Sequence, residues 1–427
     1  MNSFFHKLAH QKALVTRERA RFFFFVLLLI LFFGIAGFKA FVLFYGDSPK
    51  PRPVSFLEDW SADTLPFDMP ALRLFSFGDH TCSIDAYGAI GDGVTLNTKA
   101  IALAIKDCTD QGGGTVIVPA GRYLTGAIHL ESDIALDVQE GAELLFSQNA
   151  HDYLPAVFSR YEGMEYYGYS PFISARDCHD IALTGKGLID GQGQAWWNWK
   201  RWQQAGAKKL YALAEAGVPP EERVFATAKD GLRPALIEFI NCERVEVAGV
   251  TLKNGPMWTL HPLYSKDILI RDITVLTEGP NNDGIVIDSS NTVLIENVRL
   301  NTEDDAIVIK SGVDKDGQRV GRPAENIVIR NCSVGRGNGG VVIGSEMSGD
   351  VRNVFVSHCD FDGTKRGFRV KSAPGRGGIV ENIWIENITM ENIVAEAIFL
   401  NMFYDSKNVV RPTTANPPIF RNFFFKN

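Results

Sequence analysis

The side chains in this sequence best suited to chemistry are three aspartates and two bases: Asp283, Asp304, Asp305, Arg369 and Lys371. They fall in or beside four short segments of one form: DGIVID from Asp283, DAIVIK from Asp305, GGVVIG from Gly339 and RGFRVK from Arg366. Laid on one another as neighbouring strands, these put Asp283, Asp305, Gly339 and Arg366 in one column. Val286, Val308, Val342 and Arg369 form a second, outward column, and Asp288, Lys310, Gly344 and Lys371 a third. Strand alternation then turns Ile285, Ile307, Val341 and Phe368 inward. Carboxylates one strand apart raise the pKa of at least one member, so one can keep a proton while another activates water. That division of labour is what glycoside hydrolysis requires. A calcium site, or aspartates satisfying turn amides, would use the same residue types. Arg369 and Lys371 face the same way and match a sugar carboxylate better than a neutral hydroxyl, although a solvated strand face would also carry them.

The elements that must position these residues are strands of a solenoid. One pattern of two short apolar alternations around a polar break recurs at Val245, Ile268, Val293, Ile327, Val354 and Ile383, at separations of 23, 25, 34, 27 and 29 residues. Period-2 alternation with β-branched residues excludes helical repeats, and a recurrence of this length predicts one rung of an all-β, single-stranded parallel β-helix with rungs ~4.8 Å apart. Residues Asn97 to Cys108 predict a helix whose Ile101, Ile105 and Cys108 share a face and cap the N-terminal end of the solenoid. The Trp-rich stretch from Trp196 to Arg233 interrupts the strand rhythm and reads as an excursion on the coil wall, with a helical run near Leu210 to Ala216. Asn297, Asn331 and Asn387 share one repeat position and predict a stacked turn ladder. At the other end, Asn422 to Asn427 superposes on Asn382 to Asn387, so the solenoid is expected to be C-terminally incomplete.

Upstream, residues 1–21 form a basic cytoplasmic segment carrying Lys7, Lys12, Arg17, Arg19 and Arg21. Residues 22–45 are apolar enough for a transmembrane signal anchor or a signal peptide, and the charge bias sends the remainder of the chain across the membrane. Residues 46–79 read as a Pro-containing linker, and residues 80–427 as the β-helix domain. The domain is expected in the secretory pathway or outside the cell, tethered or released according to whether the anchor is cleaved.

With 43 Lys and Arg against 50 Asp and Glu, the net charge of −7 argues against a nucleic-acid surface. The six cysteines show no Cys/His grouping at zinc spacing, so no metal site is expected; Cys332 and Cys359 share one core position on consecutive rungs. No obligate protein partner is evident.

These segments resemble the polygalacturonase-like glycoside hydrolases of family 28. NNDG from Asn281 is similar to the family's N-T-D-G, EDDAIVIKSG from Glu303 to its G-D-D motif, and RGFRVKS from Arg366 to its R-x-K. LIDGQGQAWW from Leu188, WTLHP from Trp258 and IGSEMSG from Ile343 also resemble family segments, and the likeness covers roughly residues 80 to 422. The resemblance implies a right-handed parallel β-helix that hydrolyses α-linked galacturonic acid chains of pectin with inversion and without a cofactor. It implies Asp304 as general acid, Asp283 and Asp305 holding and deprotonating the attacking water, and Arg369 and Lys371 binding a galacturonate carboxylate. Asn338 stands where many members have a histidine, and Val286 where the motif often continues with Asp. Asn338 and His261 are further candidate sugar contacts, His261 being expected in the turn before the Asp283 rung; a packed, satisfied histidine is the competing reading.

Two other functions use the same fold. A non-catalytic pectin-binding β-helix fits Asn338, and a β-helix polysaccharide lyase is a second alternative, disfavoured by the paired Asp304 and Asp305.

Overall fold

The repeat becomes strand, bend, strand on every rung, and stacking the rungs gives three parallel sheets. In the computed structural model the described residues are 52–53, 65–404 and 416–427. Among them the sheets have eleven, ten and nine strands. The eleven-stranded sheet runs from Thr81–Ser83 to Ile419–Lys426, and Val245, Ile268, Val293, Ile327, Val354 and Ile383 pair in register, as the repeat predicts. Phe423 comes next, against Ile383. The nine-stranded sheet carries the chemistry. Its strands Ile285–Asp288, Ile307–Lys310, Val341–Ile343 and Phe368–Lys371 align Val286, Val308, Val342 and Arg369, the predicted second column.

The bends result from residue type. Asp272, Asn297, Asn331, His358 and Asn387 turn the chain between the eleven- and ten-stranded sheets with φ between 51° and 55°, a left-handed conformation that Asn and Asp tolerate best. Asn297 donates to Asp272 at 3.3 Å and Asn387 meets His358 at 3.3 Å, so side chains link these turns at two steps. A second ladder, Asn326, Asn353, Asn382 and Asn422, is linked by side-chain amides at 2.9 to 3.1 Å and was not read from the sequence. Between the sheets, Ile285, Ile307, Val341 and Phe368 are at most 1% exposed, within one core that runs along the axis. Helix α1, Thr98–Asp110, adds Ile101, Ile105 and Cys108 to that core.

Two expectations change. The linker assigned to residues 46–79 is not free throughout: Leu65, Phe67, Met69, Leu72 and Leu74 pack on the outer face of the eleven-stranded sheet. The reason is an outward apolar stripe, Leu269, Leu294, Val328, Phe355 and Trp384, which needs cover; Leu72 is fully buried on it, and Arg73 bonds Asp267 at 2.9 Å. Second, the helix expected near Leu210 spans Lys200–Glu215 (α3), after the short α2, Gln194–Trp197. The outward column at Val286, Val308 and Val342 is itself buried, because Tyr161, Met164, Trp258 and Val313 pack on it. The expected anchor at 22–45 lies outside the described residues, and among the described residues no helix is long and apolar enough to cross a membrane.

Candidate active site

Asp283 stands just before the strand Ile285–Asp288, and Asp304 and Asp305 just before Ile307–Lys310 on the next rung. The ladder continues through these turns, with Gly284 N–H donating to the Asp305 carbonyl at 3.1 Å. Asn282 braces the first turn: its side chain is fully buried and its amide nitrogen donates to the carbonyls of Gly255 and Met257. The structure thus brings the three aspartates together. Burial first, and then the Asp304 charge, raise the Asp283 carboxyl well above the usual carboxylate range; Asp305 adds to this while Lys310 and Lys371 oppose it. Asp283 is 4% exposed and Asp305 fully buried, whereas Asp304 is partly open to solvent.

The two buried bases face the same carboxylates. Lys371 Nζ is 2.6 Å from Asp305 Oδ2, and Arg369 Nη1 is 4.0 Å from Asp305 Oδ1, too far for a hydrogen bond. Burial is the largest influence on Lys371 and works against its charge, but the favourable contributions, led by Asp305 and joined by Tyr404, together hold the pKa above that of a free lysine. Tyr404 lies against both bases, its ring centroid 5.3 Å from the Arg369 guanidinium carbon and 5.3 Å from Lys371 Nζ, within cation–π range. Arg369 Nε is buried without a hydrogen-bond partner among the described residues. Asn338 Nδ2 donates to Asp304 Oδ1 at 3.1 Å, and the Asp305 amide donates to the same oxygen at 3.0 Å. Among the described residues no hydrogen bond engages Asp304 Oδ2.

His261 is not where the sequence reading put it. It lies inside the strand Leu260–Leu263, 1% exposed, with Nδ1 2.8 Å from Glu238 Oε1 and Nε2 3.5 Å from Asp288 Oδ2. Burial lowers its pKa but the two carboxylates outweigh this, so the imidazole is held above its ordinary value. With both ring nitrogens facing buried acids, it is a packed histidine and not a sugar contact. Arg160, also fully buried, completes the layer at 2.9 Å from Asp288 Oδ1.

The arrangement offers three carboxyl groups on adjacent rungs, one raised in pKa by burial and one open to solvent, beside buried cations suited to an anion. Similarity to known proteins agrees with it. The model for glycosyl hydrolases family 28 matches residues 224–420. A solved hyperthermoactive exopolygalacturonase from Thermotoga maritima is 41% identical, with a TM-score of 0.80 over 83% of this chain and 81% of that one. The chain belongs to glycosyl hydrolases family 28. A probable polygalacturonase of Vitis vinifera is 33% identical over 72% of this chain and 60% of its own length. An exo-poly-alpha-D-galacturonosidase of Dickeya chrysanthemi is 30% identical over 81% and 61%. This family 28 chain therefore spans about three fifths of the length of these curated relatives.

Four side chains of the family 28 cleft escaped the sequence reading. Lys310 is buried beside Glu346 at 2.5 Å; burial opposes its charge, but Glu346 and then Asp283 raise its pKa. Glu346 is lowered in turn by Lys310, Arg376 and Lys371 against the cost of burial. Trp258 lies under Lys310, 5.0 Å from Nζ, and meets His261 edge-on at 5.0 Å. Each had a signal, since Lys310 shares a column with Lys371 while Trp258 and Glu346 lie in the WTLHP and IGSEMSG segments. Tyr404, beyond the last strand of the site sheet, had none.

Proposed function

We propose that this chain hydrolyses α-linked galacturonic acid chains of pectin with inversion. The observation that carries the reading is the meeting of Asp283, Asp304 and Asp305 with the Arg369–Lys371 pair on one face of the nine-stranded sheet. Asp304 serves as general acid: its Oδ1 accepts two N–H groups, which leaves Oδ2 to present the proton to the leaving oxygen. Asp283 and Asp305 hold and deprotonate the attacking water, and Arg369 and Lys371 take a galacturonate carboxylate. Inversion needs water on the opposite ring face from the acid, and carboxylates drawn from two rungs suit that geometry.

The hairpin Val157–Gly168 and Trp258 cover the sheet at Glu238, His261 and Asp288 through Ser159–Glu238 and Arg160–Asp288 contacts. This cover supports attack from a chain end, in keeping with relatives named exopolygalacturonase. Digestion of polygalacturonate, with products resolved by size, tests the proposal. New reducing ends on saturated monomers or dimers are expected; a ladder of long fragments would exclude end attack, and unsaturated ends would mean a lyase. A non-catalytic pectin binder is favoured by one observation, the Asn338 amide on Asp304, since an amide exchanges no proton near neutral pH. Binding without any new reducing end would establish that reading.

For placement, the basic segment 1–21 and the apolar segment 22–45 support an exported domain with its N-terminus in the cytoplasm. Helix α1 is proposed to cap the solenoid. Protease accessibility in intact cells tests the topology: protection of the β-helix domain from externally added protease until the envelope is opened, together with cofractionation with cytosolic markers, would refute it.

A further inference from the structure

The first rung gathers three soft ligand groups from distant positions. Cys82 lies on the strand Thr81–Ser83, His80 immediately before it, and Cys108 on α1. Their ligating atoms all lie within 4.8 Å of one another. Cys82 and Cys108 are 3% and 0% exposed, while His80 is half-buried at the surface, so the cluster has one side open for entry. Cys82 Sγ is 3.4 Å from His80 Nε2. Around a tetrahedral zinc ion, bond lengths of about 2.3 Å to sulfur and 2.0 Å to nitrogen put those two atoms roughly 3.5 Å apart. The spacing is therefore that of two neighbouring ligands on one ion.

We propose that His80, Cys82 and Cys108 form a binding site for a thiophilic d10 cation of the Zn2+ class, with the fourth position left to water. Charge supports the assignment. Two thiolates and a neutral imidazole balance a divalent ion, and only a neutral assembly is tolerable at the edge of an apolar core. Glycine clears the space beside it: a Cβ at Gly114 would fall 3.2 Å from Cys108 Sγ and 2.4 Å from the His80 carbonyl oxygen. The other candidate cluster, Asp133, His179 and Asp180, is less suited, because Arg244 already neutralises Asp180 at 2.5 and 2.7 Å. A bound ion would pin the strand at 81–83 to α1 and brace the first rung against fraying.

The test uses the whole purified chain, reduced, stripped by chelation and titrated with Zn2+ or Cd2+ alone. One ion per chain is expected, with a sulfur-to-cadmium charge-transfer band, protection of Cys82 and Cys108 from alkylation, and a rise in Tm. His80→Ala should weaken binding at least ~10-fold while leaving the metal-free fold intact, since the residue is half-buried. Cys108→Ser should remove the band; should that buried change prevent folding, His80→Ala still decides. No band, a band and Tm shift indifferent to His80→Ala, or a Cys82–Cys108 disulfide in the never-reduced protein would each overturn the proposal.

Discussion

Replacing Arg369 by alanine tests whether the cleft reads charge. The residue is 9% exposed, its guanidinium is 4.0 Å from the Asp305 carboxylate and stacks on Tyr404, and its Nε has no hydrogen-bond partner among the described residues, so its removal breaks no close ion pair. Lys371, by contrast, is committed to Asp305 at 2.6 Å, and its removal would strand a buried carboxylate. Arg369→Ala is therefore the cleaner probe. A charge-assisted hydrogen bond to a substrate carboxylate contributes about 1.5–3 kcal/mol, which at 1.36 kcal/mol per decade is roughly a 13- to 160-fold fall in kcat/KM on polygalacturonate. On the methyl ester only a neutral bond is lost, about 0.5–1.5 kcal/mol, or roughly 2- to 13-fold. Arg369→Lys keeps the charge without the planar fork and should fall between wild type and alanine on the acid substrate. The assay is initial rates on both polymers, with thermal unfolding as a control for folding. Equal losses on acid and ester would refute the reasoning, because they would show that Arg369 contacts the sugar without reading its carboxylate.

The same geometry sets three other outcomes. Asp304→Asn should abolish turnover, by at least ~100-fold, and leave pectin binding within a few-fold of wild type, since the amide cannot donate the required proton; rates near wild type would remove Asp304 from the acid role. Asp283→Asn should inactivate the chain yet raise Tm at neutral pH and not at acid pH. The raised pKa means that ionising Asp283 in the folded state opposes stability above that pKa, and an unchanged Tm at neutral pH would contradict the burial argument. His261 has a folded pKa above its unfolded value of about 6.5, so its stabilisation is fully present below that pH and is lost as pH rises through the folded value. Tm should therefore fall over that window in wild type and less steeply in His261→Gln, as read by calorimetry at several pH values; parallel profiles would mean that the imidazole does not titrate.

The rung period, the register of the strands and the columns at the site were legible in the sequence, because inward side chains in a parallel solenoid repeat at one position per coil. Alternation over Ile285 to Asp288 and Ile307 to Lys310 was enough to set Asp283 and Asp305 on adjacent rungs. Sequence periodicity carries no information about what covers an outward face. The pattern turns Val286, Val308 and Val342 outward without showing that Tyr161, Met164 and Trp258 lie on them, and reads the segment 65–74 as linker without showing the apolar stripe that it covers. The charge pairs were hidden for the same reason. Glu238, His261 and Asp288 come from three rungs, and Tyr404 reaches Arg369 and Lys371 from beyond the last strand of the site sheet. The fold of each coil is dictated by local pattern, whereas the raised pKa of Asp283, the burial of His261 and the meeting of His80 and Cys82 with Cys108 depend on distances between distant segments, which only the closed tertiary structure sets.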